Sequence, residues 1–426
     1  MEKSQANISY LVQHLREKGA VMLLESQMRG HSASKKSYIA GMPSAWIKAF
    51  GNEIEVMEGG ITQRKKQNPW EALKQFRQKH KDWLFGYFGY DLKNFVEDLN
   101  SDHEDLTGAP DLFFMKPELL FEVDEDSTIW AIKGEFPVHS NGRKSSSSFD
   151  LKLSHQISKS DYLKLVEQAQ SDIYEGDYYE INLSHPLIFD FDGDSWPLYQ
   201  KMKSAGPVPF GGYFSVDDFA ICCSSPERFL AKKGKTVWSQ PIKGTASRTK
   251  GADEKQIIQK LLDSEKERAE NLMIVDLVRN DLSRIAKKGS VRVRNLFEIQ
   301  TFETVHQMVS TVECEVEEAI DPIELIKTCF PMGSMTGAPK IAAMKAIEKL
   351  ENYRRGIYSG AMGYIAPNGD FDFNVLIRTS IIKNQKLVYP AGGAITSDSD
   401  PLAEWEETLT KARALTNIKE KVDSPE

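Results

Sequence analysis

The sequence lacks the features that mark nucleic-acid-binding, membrane-spanning and secreted proteins. Its 426 residues carry a net charge of −8 with acidic and basic residues interspersed, which argues against nucleic acid or an anionic membrane surface as the main partner. No uninterrupted apolar run approaches the roughly 20 residues that span a bilayer, and no basic stretch followed by an apolar one begins the chain. We therefore expect a cytoplasmic protein with no nucleic-acid or membrane partner.

Cysteine is scarce, and its spacing argues against two common kinds of site. The chain has 4 cysteines, of which Cys222 and Cys223 are adjacent, and it contains no C-x-x-C. This pattern suggests neither a disulfide framework nor a zinc site, so we expect buried free thiols. The chain also lacks a G-x-C-x-G nucleophile with a downstream histidine pair, which predicts that it has no glutaminase site of its own.

Hydrophobic residues make up 40% of the chain, which is ample for a large core. A polar run at Ser140–Ser148 predicts a boundary between residues 1–150 and 156–420. Strand-like alternation dominates before the boundary and helices are mixed with strands after it, which indicates an α+β fold. One long helix is expected from about Asp253 into the 280s with its second half buried, and another over EWEETLTKARALTNIKEK at the C-terminus.

Two pairs of glutamates could bind a cation. Glu267 and Glu270 are three residues apart on the first of these helices, and Glu404 and Glu407 are three apart on the second, so each pair shares a helix face. The alternative is two solvated faces with ordinary salt bridges, one of them to Lys411. If the four carboxylates converged in a partly dry site, a cation would have to neutralise them, and Mg²⁺ prefers such oxygen ligands.

Several other groups stand in surroundings that suggest chemistry. The stretch SQPIKGTASR holds Lys243 between a proline and a glycine, either as a solvated turn residue or as a nucleophile. Arg378 is expected inside an apolar strand, where it needs a carboxylate or an anionic ligand. His306 is either a satisfied core histidine or a catalytic group. GSMTGAPK (333–340) lacks the spacing of a nucleotide-binding loop, but it and AGGAITSDSD (391–400) are expected to be loops whose backbone could approach an anionic ligand.

An ordered series of motifs resembles the chorismate-utilising enzymes over roughly residues 156–420. The motifs are SPERFL (225–230), PIKGT (241–245), AENLMIVDLVRNDL (269–282), GSMTGAPK, YSGAMGY (358–364), IRT (377–379), AGGAIT (391–396) and EWEET (404–408). The shorter LLES (23–26) and FGYD (88–91) extend the resemblance into residues 1–150. It implies a fold similar to anthranilate synthase component I, a two-subdomain sandwich of mixed and antiparallel sheet with helices outside. Residues 1–150 would form the N-terminal subdomain and 156–420 the chorismate-binding catalytic domain.

The same resemblance implies a role for each candidate residue. The implied metal ligands are Glu270 and Glu407 directly, with Glu267 and Glu404 helping through water. The implied chorismate-binding groups are Arg378, Lys411 and the Gly392-Gly393-Ala394 backbone at the carboxylates, and Gly244, Thr245, Tyr358 and Thr336 around the ring. The implied catalytic groups are Lys243 as nucleophile, Glu227 as acid or base, and His306 near the departing hydroxyl. The LLES motif is similar to the family's tryptophan pocket, which would place Leu24, Glu25 and Ser26 around a cavity.

Lys243 distinguishes members of the family. A lysine in PIKGT is typical of aminodeoxychorismate synthases, which aminate chorismate at C4 on the route to p-aminobenzoate and folate, whereas anthranilate synthases usually carry alanine there. The alternatives are an anthranilate synthase component I and a non-catalytic amino-acid-binding protein, which the four retained acidic positions disfavour. Ammonia would come from a separate glutamine amidotransferase subunit.

Two features bear on that interpretation. For Lys243 to attack at neutral pH, its pKa must fall from about 10.4, which burial or a cation such as Arg248 could arrange. In GDYYEINLS, Glu180 occupies a place where ammonia-using members usually have glutamine and water-using members have lysine. The absence of that lysine argues against water as the nucleophile.

Overall fold

The computed structural model describes residues 3–4, 7–28, 36–137, 148–249, 251, 253–303 and 305–420. Its helices are α1 (Ile8–Arg16), α2 (Pro69–His80), α3 (Lys159–Glu175), α4 (Ser195–Ala205), α5 (Glu254–Asp263), α6 (Glu265–Ser283), α7 (Pro322–Cys329), α8 (Lys340–Leu350) and α9 (Pro401–Glu420), with 3-10 turns at Tyr90–Phe95 and Gly333–Met335. Its strands before residue 200 are β1 (Lys3–Ser4), β2 (Val21–Glu25), β3 (Ser37–Phe50), β4 (Glu53–Glu58), β5 (Ile61–Lys66), β6 (Leu84–Phe88), β7 (Leu112–Val123), β8 (Ile129–Lys133), β9 (Phe149–His155) and β10 (Glu180–Gly193). The later strands are β11 (Phe210–Val216), β12 (Phe219–Ser225), β13 (Arg228–Lys233), β14 (Thr236–Gln240), β15 (Ile242–Ser247), β16 (Arg292–Thr301), β17 (Val305–Glu315), β18 (Gly337–Ala338), β19 (Ala361–Ile365), β20 (Phe371–Asn374), β21 (Thr379–Lys383) and β22 (Lys386–Ile395).

Antiparallel pairing joins these strands into one hydrogen-bonded network, which confirms the α+β prediction. Strand β10 is central to the later part because it pairs with β9, β18 and β22. Strand β17 pairs with β14, β15 and β16, so β15 lies beside β17 in the sheet. In the described part of the chain, no helix is both long and apolar enough to cross a membrane.

The first and later parts of the chain share this network. Strand β2 pairs with β11, and β6 pairs with β19. Aromatic side chains fill the core between them; Tyr87, for example, lies edge-on to Phe214 with ring centroids 5.7 Å apart. The boundary expected at Ser140–Ser148 lies almost wholly outside the described residues, so the division into 1–150 and 156–420 stays a prediction.

The prediction of one long helix after Asp253 is wrong, because α5 and α6 are separate helices that meet at Ser264. Ser264 has extended dihedral angles, and its hydroxyl accepts a hydrogen bond from the Glu267 amide at 3.4 Å. This is an N-cap, and a serine followed three residues later by a glutamate is its sequence signature. The buried second half of the helix is confirmed by Ile274 and Leu282, and the C-terminal helix is confirmed as α9.

AGGAITSDSD, expected to be a loop, is a strand up to Ile395. Strand β22 pairs with β10 so that Gly392 faces Ser184 and Ala394 faces Asn182. A Cβ on Gly392 would lie 2.4 Å from the Leu183 carbonyl oxygen, so the close approach of the two strands requires glycine. The four cysteines are buried free thiols, as predicted.

Candidate active site

Lys243 and Glu180 form a nearly buried ion pair where β15 approaches the start of β10. Lys243 Nζ donates to Glu180 Oε1 at 2.6 Å, and the two side chains are 10% and 1% exposed. Gly244, the next residue, has φ +89°, a left-handed conformation that glycine adopts without strain. Lys243 is therefore neither a solvated turn residue nor an isolated amine.

The pKa of Lys243 does not fall as expected. Burial lowers this pKa, but the carboxylates of Glu180, Glu270 and Glu227 outweigh burial and raise it above its ordinary value. Arg248 is not the cation that acts on Lys243, because its guanidinium bonds to Glu254 Oε1 at 2.6 Å and donates to the Phe302 carbonyl. In the absence of substrate, Lys243 is thus held as an ammonium ion.

The glutamates of α6 and α9 lie beside glycines of the two site strands. A Cβ on Gly244 would lie 3.0 Å from Glu267 Oε2. A Cβ on Gly393 would lie 3.1 Å from Glu404 Oε2 and 3.4 Å from Glu407 Oε1. The two glycines therefore leave room for carboxylates that larger residues would displace.

Burial raises the pKa values of three of these four carboxylates. Burial raises the pKa of Glu270 to about 7, and burial together with the neighbouring Glu407 raises the pKa values of Glu267 and Glu404. For Glu407 burial acts in the same direction, but Lys411 at 2.5 Å outweighs it and lowers the pKa. Raised carboxylate pKa values mean that the site favours added positive charge.

No metal site is already assembled in the described part of the chain, where no three Asp, Glu, His or Cys side chains lie close enough to hold an ion. Two of the carboxylates form ion pairs with lysines instead: Lys266 lies 3.9 Å from Glu270, and Lys411 pairs with Glu407. The donors themselves fit Mg²⁺, because all four are carboxylates; Glu267 of α6 lies beside Gly244, and Glu404 and Glu407 of α9 lie beside Gly393. The magnesium assignment stays a prediction.

Arg378 lies in a bend with φ +51° between β20 and β21, not inside a strand as expected. Among the described residues, its guanidinium has no hydrogen-bond or ion-pair partner, although its carbonyl accepts from the Ser224 amide at 3.1 Å. Burial lowers its pKa despite the opposing influence of Tyr389 and Glu227. A partly buried guanidinium with no partner among the described residues favours an anionic ligand.

Glu227 is 6% exposed, and burial raises its pKa to about 7, although Ser334 and Lys243 act in the opposite direction. A carboxyl group with this pKa can either give or accept a proton at neutral pH.

Lys411 Nζ also donates to the Gly392 carbonyl at 2.7 Å, which fixes α9 against β22.

The other predicted site residues are His306, Thr336, Thr245 and Tyr358, and their environments differ. His306 is fully buried opposite Ala246 of β15; its Nδ1 lies 3.0 Å from the Thr301 hydroxyl, while its Nε2 lacks a hydrogen bond to any described residue. The Thr336 hydroxyl donates within its own turn, whereas its carbonyl accepts from the Asn182 amide at 2.8 Å. Thr245 is exposed on β15. Tyr358 is buried, and burial raises its pKa.

Sequence reasoning missed a buried network that holds this region together. Glu351 accepts from the Ser184 amide and hydroxyl at 2.8 and 2.7 Å, and it pairs with Arg355 at 2.6 and 2.8 Å. Arg355 also donates to the carbonyls of Met335 and Asn182 at 2.7 Å. The network therefore ties β10 to the turn before Thr336. Its only signal in the sequence is a Glu–Arg spacing of four, which is ordinary on exposed helices.

A cavity of about 290 Å³ lies at the N-terminal strands, and Leu24, Glu25 and Ser26 line it as expected. Its other walls include Tyr38, Phe210, Arg228, Tyr364 and Asn374. Arg228 directly follows Glu227 in the chain, so adjacent residues contribute to this cavity and to the candidate active site.

Known proteins resemble this chain over most of its length. A family model described as chorismate binding enzyme matches residues 21–417. Anthranilate synthase component 1 of Aquifex aeolicus is 32% identical, covering 94% of this chain and 90% of that one. Aminodeoxychorismate synthase component 1 of Escherichia coli K12 is also 32% identical, covering 94% and 93%. The crystal structure of anthranilate synthase component I from Streptococcus pneumoniae superposes with a TM-score of 0.77 at 28% identity, covering 91% and 94%.

Proposed function

Because this chain belongs to the chorismate-binding enzyme family, we propose that it aminates chorismate at C4 to give 4-amino-4-deoxychorismate, as an aminodeoxychorismate synthase component I. The observation that carries the proposal is the side chain of Lys243, a nearly buried amine surrounded by Glu180, Glu227 and Glu270. An amine in that position can form a covalent bond to the ring, whereas an alanine could not. The similarity to aminodeoxychorismate synthase component 1 supports the same choice.

Binding of the substrate follows from the cationic groups. Chorismate is a dianion, and the unpaired guanidinium of Arg378 and the ammonium of Lys411 would pair with its carboxylates. Main-chain groups of Gly392, Gly393 and Ala394 would approach the ligand closely because two of them carry no side chain. Gly244, Thr245, Thr336 and Tyr358 would border the ring.

Catalysis would proceed by two substitutions in place of one. Neutral Lys243 Nζ adds at C2, the ring double bond shifts, and the C4 hydroxyl leaves as water with a proton from Glu227. Ammonia then adds at C4, the double bond shifts back, and the bond between C2 and Nζ breaks. His306 would orient groups near the departing hydroxyl.

Magnesium would be held by Glu270 and Glu407, with Glu267 and Glu404 acting through water. When bound, it would withdraw electron density through the ring carboxylate as the hydroxyl leaves. The chain's own contribution is to bury Glu267, Glu270 and Glu404 in part, so that their raised pKa values favour a cation, and to leave room for carboxylates beside Gly244 and Gly393.

The ammonia would come from a separate glutamine amidotransferase subunit. Several relatives are named as component 1, a name that implies a second component. A cytoplasmic location is part of the same proposal.

The identity of the product tests the function. Purified chain with chorismate, Mg²⁺ and an ammonium salt above pH 8 should consume chorismate without stoichiometric pyruvate, because amination at C4 leaves the enolpyruvyl group on the ring. Mass spectrometry of the trapped protein should show an adduct that Lys243→Ala cannot form. The second candidate, anthranilate synthase, is supported by the Aquifex aeolicus relative. Pyruvate released together with anthranilate fluorescence would establish that candidate instead.

A further inference from the structure

Two buried ion pairs, Glu351–Arg355 and Glu180–Lys243, lie in this region, and their carboxylates differ in the hydrogen bonds that they accept. Glu351 uses both carboxylate oxygens: Oε1 accepts from Ser184 and Arg355, and Oε2 accepts from Arg355. Glu180 uses only Oε1, which accepts from Lys243 at 2.6 Å. Its Oε2 is buried and has no hydrogen-bond partner in the part of the chain that the structure describes. The Glu180–Lys243 pair therefore makes fewer hydrogen bonds than the Glu351–Arg355 pair.

The two cations also differ in what they can release. The guanidinium of Arg355 keeps its proton under all ordinary conditions, so its pair with Glu351 is structural. The ammonium of Lys243 can give up a proton, and Glu180 is the acceptor already in contact with it. A buried charge pair with missing hydrogen bonds is costly, and proton transfer within the pair removes both charges.

We propose that Glu180 takes a proton from Lys243 Nζ before the amine adds to chorismate and returns it after ammonia expels the amine. This inference rests on the proposed function. In the first half-reaction, the Nζ–H bond breaks, Glu180 becomes a carboxylic acid, and the neutral amine forms its bond to C2. In the second, the C2–Nζ bond breaks with its electron pair on Nζ, and the Glu180 proton restores the ammonium. The new C4 ammonium returns a proton to Glu227, so both carboxyl groups end as they began.

Other charged groups face Lys243 but do not replace Glu180 in this role. Glu227, beside β13, and Glu270, on α6, both raise the pKa of Lys243. The charge of Lys243 has a weaker influence on the pKa values of Glu267 and Glu407. Among the described carboxylates, only Glu180 lies within 4.0 Å of Nζ. The others set the local charge, whereas Glu180 is in position to receive the proton.

The test compares the pH dependence of adduct formation in wild type and Glu180→Gln, without ammonia and by rapid-quench mass spectrometry. Within the native pair the proton never reaches solvent, so this step does not depend on pH. Glutamine can bond to Lys243 but cannot take the proton, so solvent must, and the neutral fraction rises about tenfold per pH unit below the lysine pKa. The ratio of the two rates, variant over wild type, should therefore rise about tenfold per pH unit between about pH 6 and 8. Titration of Glu227 is common to both proteins and cancels in the ratio.

Two further variants make the result specific. Glu180→Asp keeps a carboxylate, so its rate ratio to wild type should stay constant with pH even if its rate is lower. Asp177→Asn removes an exposed acid three residues away and should match wild type throughout. A constant ratio for Glu180→Gln, while wild type forms the Lys243 adduct, overturns the role of Glu180 alone. A wild type that forms no adduct overturns the proposed function and this inference together.

Discussion

Glu270 is one of the predicted metal ligands, and its pKa makes a prediction about pH and Mg²⁺. Burial raises its pKa to about 7 from an ordinary 4.5, so the folded protein loses stability as pH rises through that range, because the buried carboxylate must ionise. Glu270→Gln should therefore raise the thermal midpoint at pH 8 without Mg²⁺, and much less at pH 5. It should also reduce the stabilisation by Mg²⁺ and abolish turnover at limiting Mg²⁺.

The matched control is Asp276→Asn, which removes an acid on the same helix that is 69% exposed. It should change neither the pH 8 midpoint nor its response to Mg²⁺. Near-normal activity of Glu270→Gln or Glu407→Gln at limiting Mg²⁺ would refute the metal assignment.

Glu227 makes a different prediction about pH. Burial raises its pKa to about 7, and in the proposed mechanism the protonated form is the one that assists departure of the hydroxyl. At a fixed concentration of free ammonia, the wild-type rate should therefore decline above about pH 7. Glu227→Gln should lower the rate by about 10²- to 10⁴-fold and remove that decline. A variant that keeps the wild-type profile would assign the decline to another group.

At the scale of single elements, Ser264 separates α5 from α6 and thereby sets where Glu267 and Glu270 lie. Ser264→Ala removes the hydrogen bond to the Glu267 amide and should cost about 1 kcal/mol of stability. The measurement is the urea midpoint, with Ser283→Ala as control because that hydroxyl bonds only to a carbonyl near the exposed helix end. Equal midpoints for the two variants would mean that the break in the helix does not depend on the cap.

The same element shows what could and could not be predicted from sequence. The helical and strand periods, the C-terminal helix and the buried second half of α6 follow from local patterns. The break at Ser264 was readable from its capping signature but is invisible to a search for glycine and proline. The prediction of a loop at AGGAIT is wrong because glycines permit close strand pairing as readily as turns.

Across the whole molecule, the order of motifs indicated the candidate site residues, but their partners depend on distant pairing. Of the two partners expected for Arg378, a protein carboxylate is absent among the described residues, and the residue lies in a bend that no strand pattern marks. The contact of Lys243 with Glu180 joins residues 63 positions apart, so no local spacing encodes it. Neighbouring carboxylates reversed the expected direction of the Lys243 pKa for the same reason.

The cavity at the N-terminal strands makes the last prediction, which concerns the chain as a whole. Leu24, Glu25 and Ser26 contribute to its walls together with Arg228, whose neighbour in the chain is Glu227 of the candidate active site. Because a cavity of about 290 Å³ with aromatic and charged walls suits an aromatic amino acid, we expect calorimetry to detect tryptophan binding to the native chain. Ser26→Trp should fill the cavity and abolish that binding, whereas Ser160→Trp, on the exposed first turn of α3, should retain it. If the native chain takes up no heat with tryptophan, LLES is only a core strand, and the cavity has no part in recognising that amino acid.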